Sequence, residues 1–155
     1  MTSAEDLAAV TALLGREPQA EFEVVVRNGE GEPAVICNAP LLRDGTPMPT
    51  RYWLIDPVLV AAVSRLEASG GVRAAVDAVD IKEVEVAHQV YATERDSQLP
   101  PGHDGPAPFG GVGGTRVGVK CLHAHFAWLL AGGEDPVGRW VAAQLSMPMA
   151  ATGLV

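Results

Sequence analysis

The chain has 155 residues, of which 48% are hydrophobic and 19% charged, and its formal net charge at pH 7 is −8. This length and composition predict one folded domain, 1–155, with a substantial hydrophobic core. The negative charge argues against sequence-independent binding of nucleic acid, which requires a basic surface.

Two further features bear on where the protein works. No apolar run approaches the roughly 20 residues that a membrane-spanning helix needs, so we expect no membrane span. The start of the chain is acidic where a signal peptide would be basic, which predicts a cytoplasmic protein. In that reducing compartment the 2 cysteines would be free thiols or ligands.

The first half of the chain carries clear helix and strand signals. Thr2 and Glu5 have the spacing of a capping box, and Gly15 stops the helix that follows. Alternating apolar residues predict strands, and Asp56 followed by Pro57 is typical of a helix start. The predicted elements are a helix at 3–14, strands at 21–27 and 33–40, a short strand at 51–55, and a helix from 57 that stops at 69–71.

The second half is predicted to be mainly helical. No glycine or proline interrupts 72–97, and apolar and polar residues there form one helical stripe; these are Ile81, Val84, His88, Tyr91 and Arg95. A loop rich in proline and glycine follows at 99–114, then a helix from about 117–119 to Leu130 and a last helix from Asp135 to Leu145. The uncharged tail, 146–155, is expected to be loosely held. The predicted fold is α+β, with a small antiparallel β-hairpin or sheet packed by about four to five helices.

Cys121, His123 and His125 form the densest group of metal-ligating residue types in the chain. Thiolate and imidazole groups suit zinc or iron. On a helix Cys121 and His125 share a face, whereas His123 lies about 200° around the axis from Cys121. If the backbone is still extended there, Cys121 and His123 instead face the same way. One helix cannot complete a tetrahedral site, so Asp56 and His88 are further candidate ligands.

Each candidate ligand also has an ordinary structural explanation. Cys121 can pack as a small hydrophobic residue at the edge of a core stripe. A histidine on an apolar stripe, such as His88, is usually a hydrogen-bonded core residue. Asp56 is well placed to cap the helix that follows it.

The residues before the Cys/His group suggest an anion site as the helix begins. Gly113 and Gly114 belong to a glycine-rich run, and Arg116 and Lys120 follow it. Glycines allow close backbone approach, and a helix N-terminus presents free N–H groups to an anion such as phosphate. The spacing is not that of a P-loop. The alternative is a flexible loop whose cations pair with surface acids.

Seven pieces of the sequence, in order, carry a resemblance to a known family: LGREP (14–18), GEPAVI (31–36), DGTPMPTRYWLIDP (44–57), SRLEASG (64–70), HQVYATER (88–95), RVGVKCLHAHFAWLLAGG (116–133) and DPVG (135–138). Together they resemble the DUF501 family of uncharacterised bacterial proteins, which is common in actinobacteria. The resemblance implies that the position of Asp56 is often Cys or His in the family, which favours a ligand over a cap. Cys37 matches none of these pieces and is set aside.

Two functions are compatible with these observations. The first is a metal-binding protein that uses Asp56, His88, Cys121, His123 and His125, with a small anionic ligand beside it. The second is a non-enzymatic interaction or regulatory module with an unidentified protein partner. The resemblance links this second function to cell division or the envelope, because genes of the family often lie near one for a septum-formation protein. No catalytic constellation for acyl transfer is visible, and the sequence assigns no reaction.

Overall fold

The computed structural model describes residues 2–145, and the fold is α+β, as predicted. It contains one three-stranded antiparallel sheet and six α-helices. In chain order the elements are α1 (Ala4–Leu14), β1 (Ala20–Arg27), β2 (Pro33–Leu42), β3 (Tyr52–Leu54), α2 (Pro57–Ala68), α3 (Gly71–Ala78), α4 (Ile81–Asp96), a 3₁₀ turn (Val112–Gly114), α5 (Leu122–Leu130) and α6 (Pro136–Gln144).

The sheet has the strand order β1-β2-β3, so β2 is central. The turn between β1 and β2 is held by the side-chain oxygen of Asn28, which accepts hydrogen bonds from the backbone N–H groups of Glu30 and Glu32. Both faces of β2 are covered: Ile36 packs in a small cluster with Val10 of α1, whereas Val35 belongs to the main core. The sheet therefore separates α1 from the other helices.

The helix starts predicted at Asp56 and Asp135 are confirmed, whereas the cap of α1 is not the predicted Thr2. The Ser3 side chain accepts a hydrogen bond from the backbone of Asp6, one residue further along than a capping box at Thr2 would place it. Asp56 and Asp135 each accept two backbone hydrogen bonds at the starts of α2 and α6, and a proline follows each of them. These caps satisfy N–H groups that have no partner within their own helix.

The segment predicted as one helix over 72–97 is two helices, and this accounts for the higher helix count. α3 ends at Ala78, and α4 begins after Asp80, whose side chain accepts a hydrogen bond from the backbone of Lys82. The predicted stripe is buried from Val84 onwards, but Ile81 is 45% exposed because it lies at the new helix start.

α5 begins later than predicted, at Leu122. Gly118 has a φ of 74°, which a continuing right-handed helix does not allow, and Cys121 is extended with a φ of −140°. The long loop before it is fixed to α4 by Arg95, a residue only 1% exposed, whose guanidinium donates to the carbonyl oxygens of Pro49 and Phe109.

Within residues 2–145, no helix combines the length and the apolar character needed to cross a bilayer. The prediction of a loosely held tail concerns 146–155, which lies outside the described residues.

Candidate functional site: a Glu–Cys–His cluster at the start of α5

Glu67, Cys121 and His123 bring three ligand atoms within 4.8 Å of one another, and no other group of this kind occurs among residues 2–145. Cys121 is the N-cap residue of α5, His123 lies in its first turn, and Glu67 lies in the last turn of α2. The Cys121 Sγ is 3.9 Å from the His123 Nδ1, which is 3.3 Å from the Glu67 Oε2. All three residues are partly buried.

The extended backbone at Cys121 explains why its side chain meets that of His123. With φ −140° and ψ 115°, Cys121 precedes the helix instead of belonging to it. The separation of about 200° that a continuous helix would impose therefore does not apply. Of the two arrangements predicted from the sequence, the structure has the one in which the chain is extended at this point.

Sequence reasoning missed Glu67. Its Oε2 accepts a hydrogen bond of 2.8 Å from the backbone N–H of Leu122, so the carboxylate occupies the N-terminus of α5. The sequence did offer a signal for this residue. SRLEASG (64–70), one of the seven pieces that carry the family resemblance, contains both Ser64 and Glu67. The Ser64 Oγ is 3.1 Å from the His123 Nε2, so both residues contact the same imidazole ring.

The contacts of His123 place an acceptor at each ring nitrogen, the Val60 carbonyl oxygen at the Nε2 and the Glu67 carboxylate at the Nδ1. Its Nε2 is 3.1 Å from the Ser64 hydroxyl and 3.4 Å from the carbonyl oxygen of Val60. A carbonyl oxygen can only accept, so the Nε2 is the donor. In the neutral ring the Nδ1 then presents a lone pair to the Cys121 sulfur and the Glu67 carboxylate.

When no ion occupies the cluster, the local electrostatics favour a pair of opposite charges, a Cys121 thiolate and a His123 imidazolium. Burial raises the pKa of the Cys121 thiol, but the hydrogen bond with His123 and the backbone N–H of Ala124 outweigh it, and the pKa is lowered overall. The hydrogen bond with Cys121 raises the pKa of His123 despite its burial, and Glu67 adds to this effect. A proton shared at the Nδ1 would thus link a thiolate to a carboxylate.

Asp56 lies apart from this cluster. One carboxylate oxygen accepts hydrogen bonds from the backbone of Val58 and Leu59, and the other accepts one from the side-chain amide of Asn28. Asp56 is thus an N-cap residue with both oxygens engaged, and the structure does not bring it to Cys121.

His88 and His125 are also not part of the cluster. The His88 Nε2 donates to the carbonyl oxygen of Gly118 at 2.7 Å, and its Nδ1 accepts from the backbone of Val112 at 3.1 Å. Burial lowers the pKa of His88, so the neutral ring is favoured. The buried His125 contacts Asp135 through its Nδ1 at 2.6 Å. Both rings are therefore held by hydrogen bonds in the core, 5.7 Å apart between centroids.

Two of the residues predicted to bind an anion, Arg116 and Gly114, lie beside the same Phe109 ring. The Arg116 guanidinium lies 4.9 Å from the centroid of the Phe109 ring, and Lys120 is exposed. Gly113 and Gly114 form the 3₁₀ turn with φ values of 61° and 75°. These glycines have a packing role, because a Cβ on Gly113 would lie 3.1 Å from that of Ala124, and a Cβ on Gly114 would lie 3.1 Å from that of Pro49. The first N–H group of α5 binds the carboxylate of Glu67 instead.

The comparisons with known proteins bear on the identity of the chain. No curated protein and no solved structure matches it. A family model described as "Protein of unknown function (DUF501)" matches residues 24–143, a range that includes Glu67, Cys121 and His123. Since this range covers most of the sequence, the chain belongs to the DUF501 family.

Proposed function

We propose that the protein binds a divalent metal ion, with zinc preferred over iron, through Glu67, Cys121 and His123. The observation that carries the proposal is the convergence of three electron-pair donors, a sulfur, an imidazole nitrogen and a carboxylate oxygen, in one partly buried place. Zinc accepts all three ligand types.

The distances support this assignment. Ligand atoms of a tetrahedral zinc ion lie about 3.3–3.6 Å apart, given bond lengths of about 2.0–2.3 Å. The distance of 3.3 Å between the His123 Nδ1 and the Glu67 Oε2 lies in this range, and the distance of 3.9 Å between the Nδ1 and the Cys121 Sγ is slightly longer. The third pair, the Cys121 Sγ and a Glu67 carboxylate oxygen, lies within 4.8 Å, so the side chains would have to move closer together to enclose an ion.

The electrostatics are compatible with the same proposal, because a metal ion can take the place of the proton that joins the three groups in the metal-free protein. A neutral His123 directs the lone pair of its Nδ1 at a carboxylate and a sulfur, which are themselves electron-rich. Such an arrangement is favourable only with a cation between the groups, either a proton or a metal ion. The hydrogen bonds that hold the Nε2 of His123 and the Oε2 of Glu67 would orient both ligands, as outer contacts do in metal sites.

Three protein ligands leave one tetrahedral position for water or another molecule, as in catalytic zinc centres. A zinc ion in such a centre lowers the pKa of the water bound to it. The ligand set is thus compatible with hydrolytic chemistry, and no particular reaction is assigned.

The proposal is tested by titrating the metal-free chain with Co²⁺, which reports thiolate coordination by a charge-transfer absorption band. We expect one equivalent to bind with this band, and Cys121→Ser to abolish it. Cys37→Ser is the matched control, because Cys37 is the other cysteine and lies in β2. A band that survives in Cys121→Ser, or disappears in Cys37→Ser, contradicts the proposal.

A second pair of variants tests the carboxylate. Glu67→Gln should weaken cobalt binding by about tenfold or more, a loss of roughly 1.4 kcal/mol per factor of ten. The fold should survive, because the amide oxygen can still accept the hydrogen bond from Leu122. Glu83→Gln changes an exposed residue of α4 and should leave the affinity unchanged. Equal affinities of the two variants would remove Glu67 from the site.

A further inference from the structure

A cavity of about 250 Å³ adjoins the Glu–Cys–His cluster. Its walls come from the short strand β3, the segment before it, the 3₁₀ turn and the start of α5; the lining residues that matter here are Thr50, Tyr52, Leu54, Gly113, Cys121 and His123. Two of the three cluster residues thus line the cavity, whereas Glu67 does not. A small molecule bound in the cavity would therefore lie next to the proposed ion.

The lining of the cavity is poor in charge. It includes no Lys, Arg, Asp or Glu. Its titratable side chains are those of Tyr52, Cys121 and His123. Burial raises the pKa of the Tyr52 phenol, so this side chain is neutral, and its hydroxyl donates to Glu94. Arg116 and Lys120, the cations that suggested a phosphate ligand, do not line the cavity.

The walls are also preformed. Tyr52 and Leu54 are 7% and 9% exposed, and β3 is paired with β2 along its length. The Gly113 turn approaches α5 so closely that a Cβ would meet Ala124. The volume lies below the roughly 300 Å³ at which pockets for drug-sized ligands begin, so the occupant is small.

We propose that this cavity is the ligand pocket of the metal centre and that it takes a small uncharged molecule, with an apolar body and one metal-coordinating atom, in preference to a phosphate. The inference rests on the proposed metal site. It is carried by the position of Cys121 and His123 in the cavity wall and by the uncharged, partly apolar character of the other lining residues.

The test compares three probes on the full chain loaded with Co²⁺: imidazole, 4-phenylimidazole and inorganic phosphate. The visible spectrum of cobalt reports entry into its coordination sphere. Both imidazoles should change the spectrum, and 4-phenylimidazole should bind about tenfold more tightly, because its ring leaves water for the cavity. Phosphate should bind more weakly than either.

A variant of the cavity wall identifies where the phenyl ring lies. Thr50→Phe fills the cavity while the backbone carbonyl of residue 50 keeps its hydrogen bond from Asn38, so the preference for 4-phenylimidazole should fall to about one. Thr93→Phe, at an exposed position of α4, is the matched control and should retain the preference.

The outcomes separate this inference from the proposed function. If cobalt binds with its thiolate band but the two imidazoles bind equally, the pocket is refuted and the metal site stands. The same holds if phosphate binds most tightly, or if the preference is unchanged in a folded Thr50→Phe. Absence of the thiolate band from the native protein refutes the metal site itself.

Discussion

Asp56 is the residue at which capping and metal ligation predict opposite results, and Asp56→Ala separates them. Its carboxylate accepts hydrogen bonds from Val58 and Leu59 at 2.9 and 3.1 Å, and from the Asn28 amide at 3.2 Å. Loss of an N-cap costs about 1–2 kcal/mol, and loss of the amide hydrogen bond adds about 1 kcal/mol. We therefore expect a destabilisation of about 2–3 kcal/mol.

For a domain of this size, that loss corresponds to a fall in Tm of about 5–10 °C. Thermal unfolding followed by circular dichroism measures it. Asp56→Asn should recover only the capping part of the loss, because asparagine caps helices as well as aspartate does but its amide nitrogen cannot accept the hydrogen bond from Asn28. Below the transition, the affinity of Asp56→Ala for Co²⁺ should equal that of the native chain. A Tm within about 1 °C of native, together with a tenfold loss of cobalt affinity, would refute the cap and restore Asp56 as a ligand.

Two further predictions concern the thiols and the glycine turn. In the metal-free protein at neutral pH, iodoacetamide should modify Cys121 before Cys37, because burial raises the pKa of Cys37 whereas the pKa of Cys121 is lowered. Peptide mass spectrometry measures the modification of both thiols. The reverse order would contradict the thiolate assigned to Cys121. Gly111→Ala should destabilise the fold by about 1–3 kcal/mol in urea unfolding, because the new Cβ would lie 2.4 Å from that of His88. Gly29→Ala is the control, because a Cβ there has no neighbour within 4 Å. Equal effects of the two substitutions would show that the contact with His88 can relax.

The parts of the fold that were predictable are those marked by local signals. Asp56 and Asp135 each stand at the start of a helix, and their side chains accept hydrogen bonds from the backbone of the first turn. The first helix was also predicted, but its cap is Ser3 and not Thr2. The break between α3 and α4 was missed because neither glycine nor proline marks it. Asp80, which caps α4, lies among several other acidic residues and does not stand out from them.

The start of α5 was missed for a different reason. Val119 lies three residues before Leu122, a spacing that extends the apolar pattern of the helix, but the positive φ of Gly118 interrupts the helical backbone just before Val119. A glycine inside an apolar pattern is compatible with either conformation, and tertiary contacts decide between them. Here the Gly118 carbonyl accepts the hydrogen bond from His88, which lies on a helix distant in sequence.

The ligand set could be predicted only in part, since Cys121 and His123 are close in the chain but Glu67 reaches them through tertiary packing. At Gly71 an added Cβ would lie 2.5 Å from the carbonyl oxygen of Leu66 and 3.0 Å from the Leu122 Cδ1. This tight turn after α2 is what brings the end of that helix against the start of α5, and no spacing in the sequence reveals it.

The anion predicted at the start of α5 has a counterpart within the chain. A helix N-terminus attracts negative charge whether the charge comes from a ligand or from a side chain. Here the Glu67 carboxylate meets the N–H of Leu122 and the Nδ1 of His123 with the same oxygen. Glu67 therefore joins two helices and completes the cluster at once. A glutamine at position 67 has the shape to accept the hydrogen bond from Leu122 and so to join the two helices. Completing the cluster requires the negative charge, so the proposed metal affinity depends on the charge of residue 67.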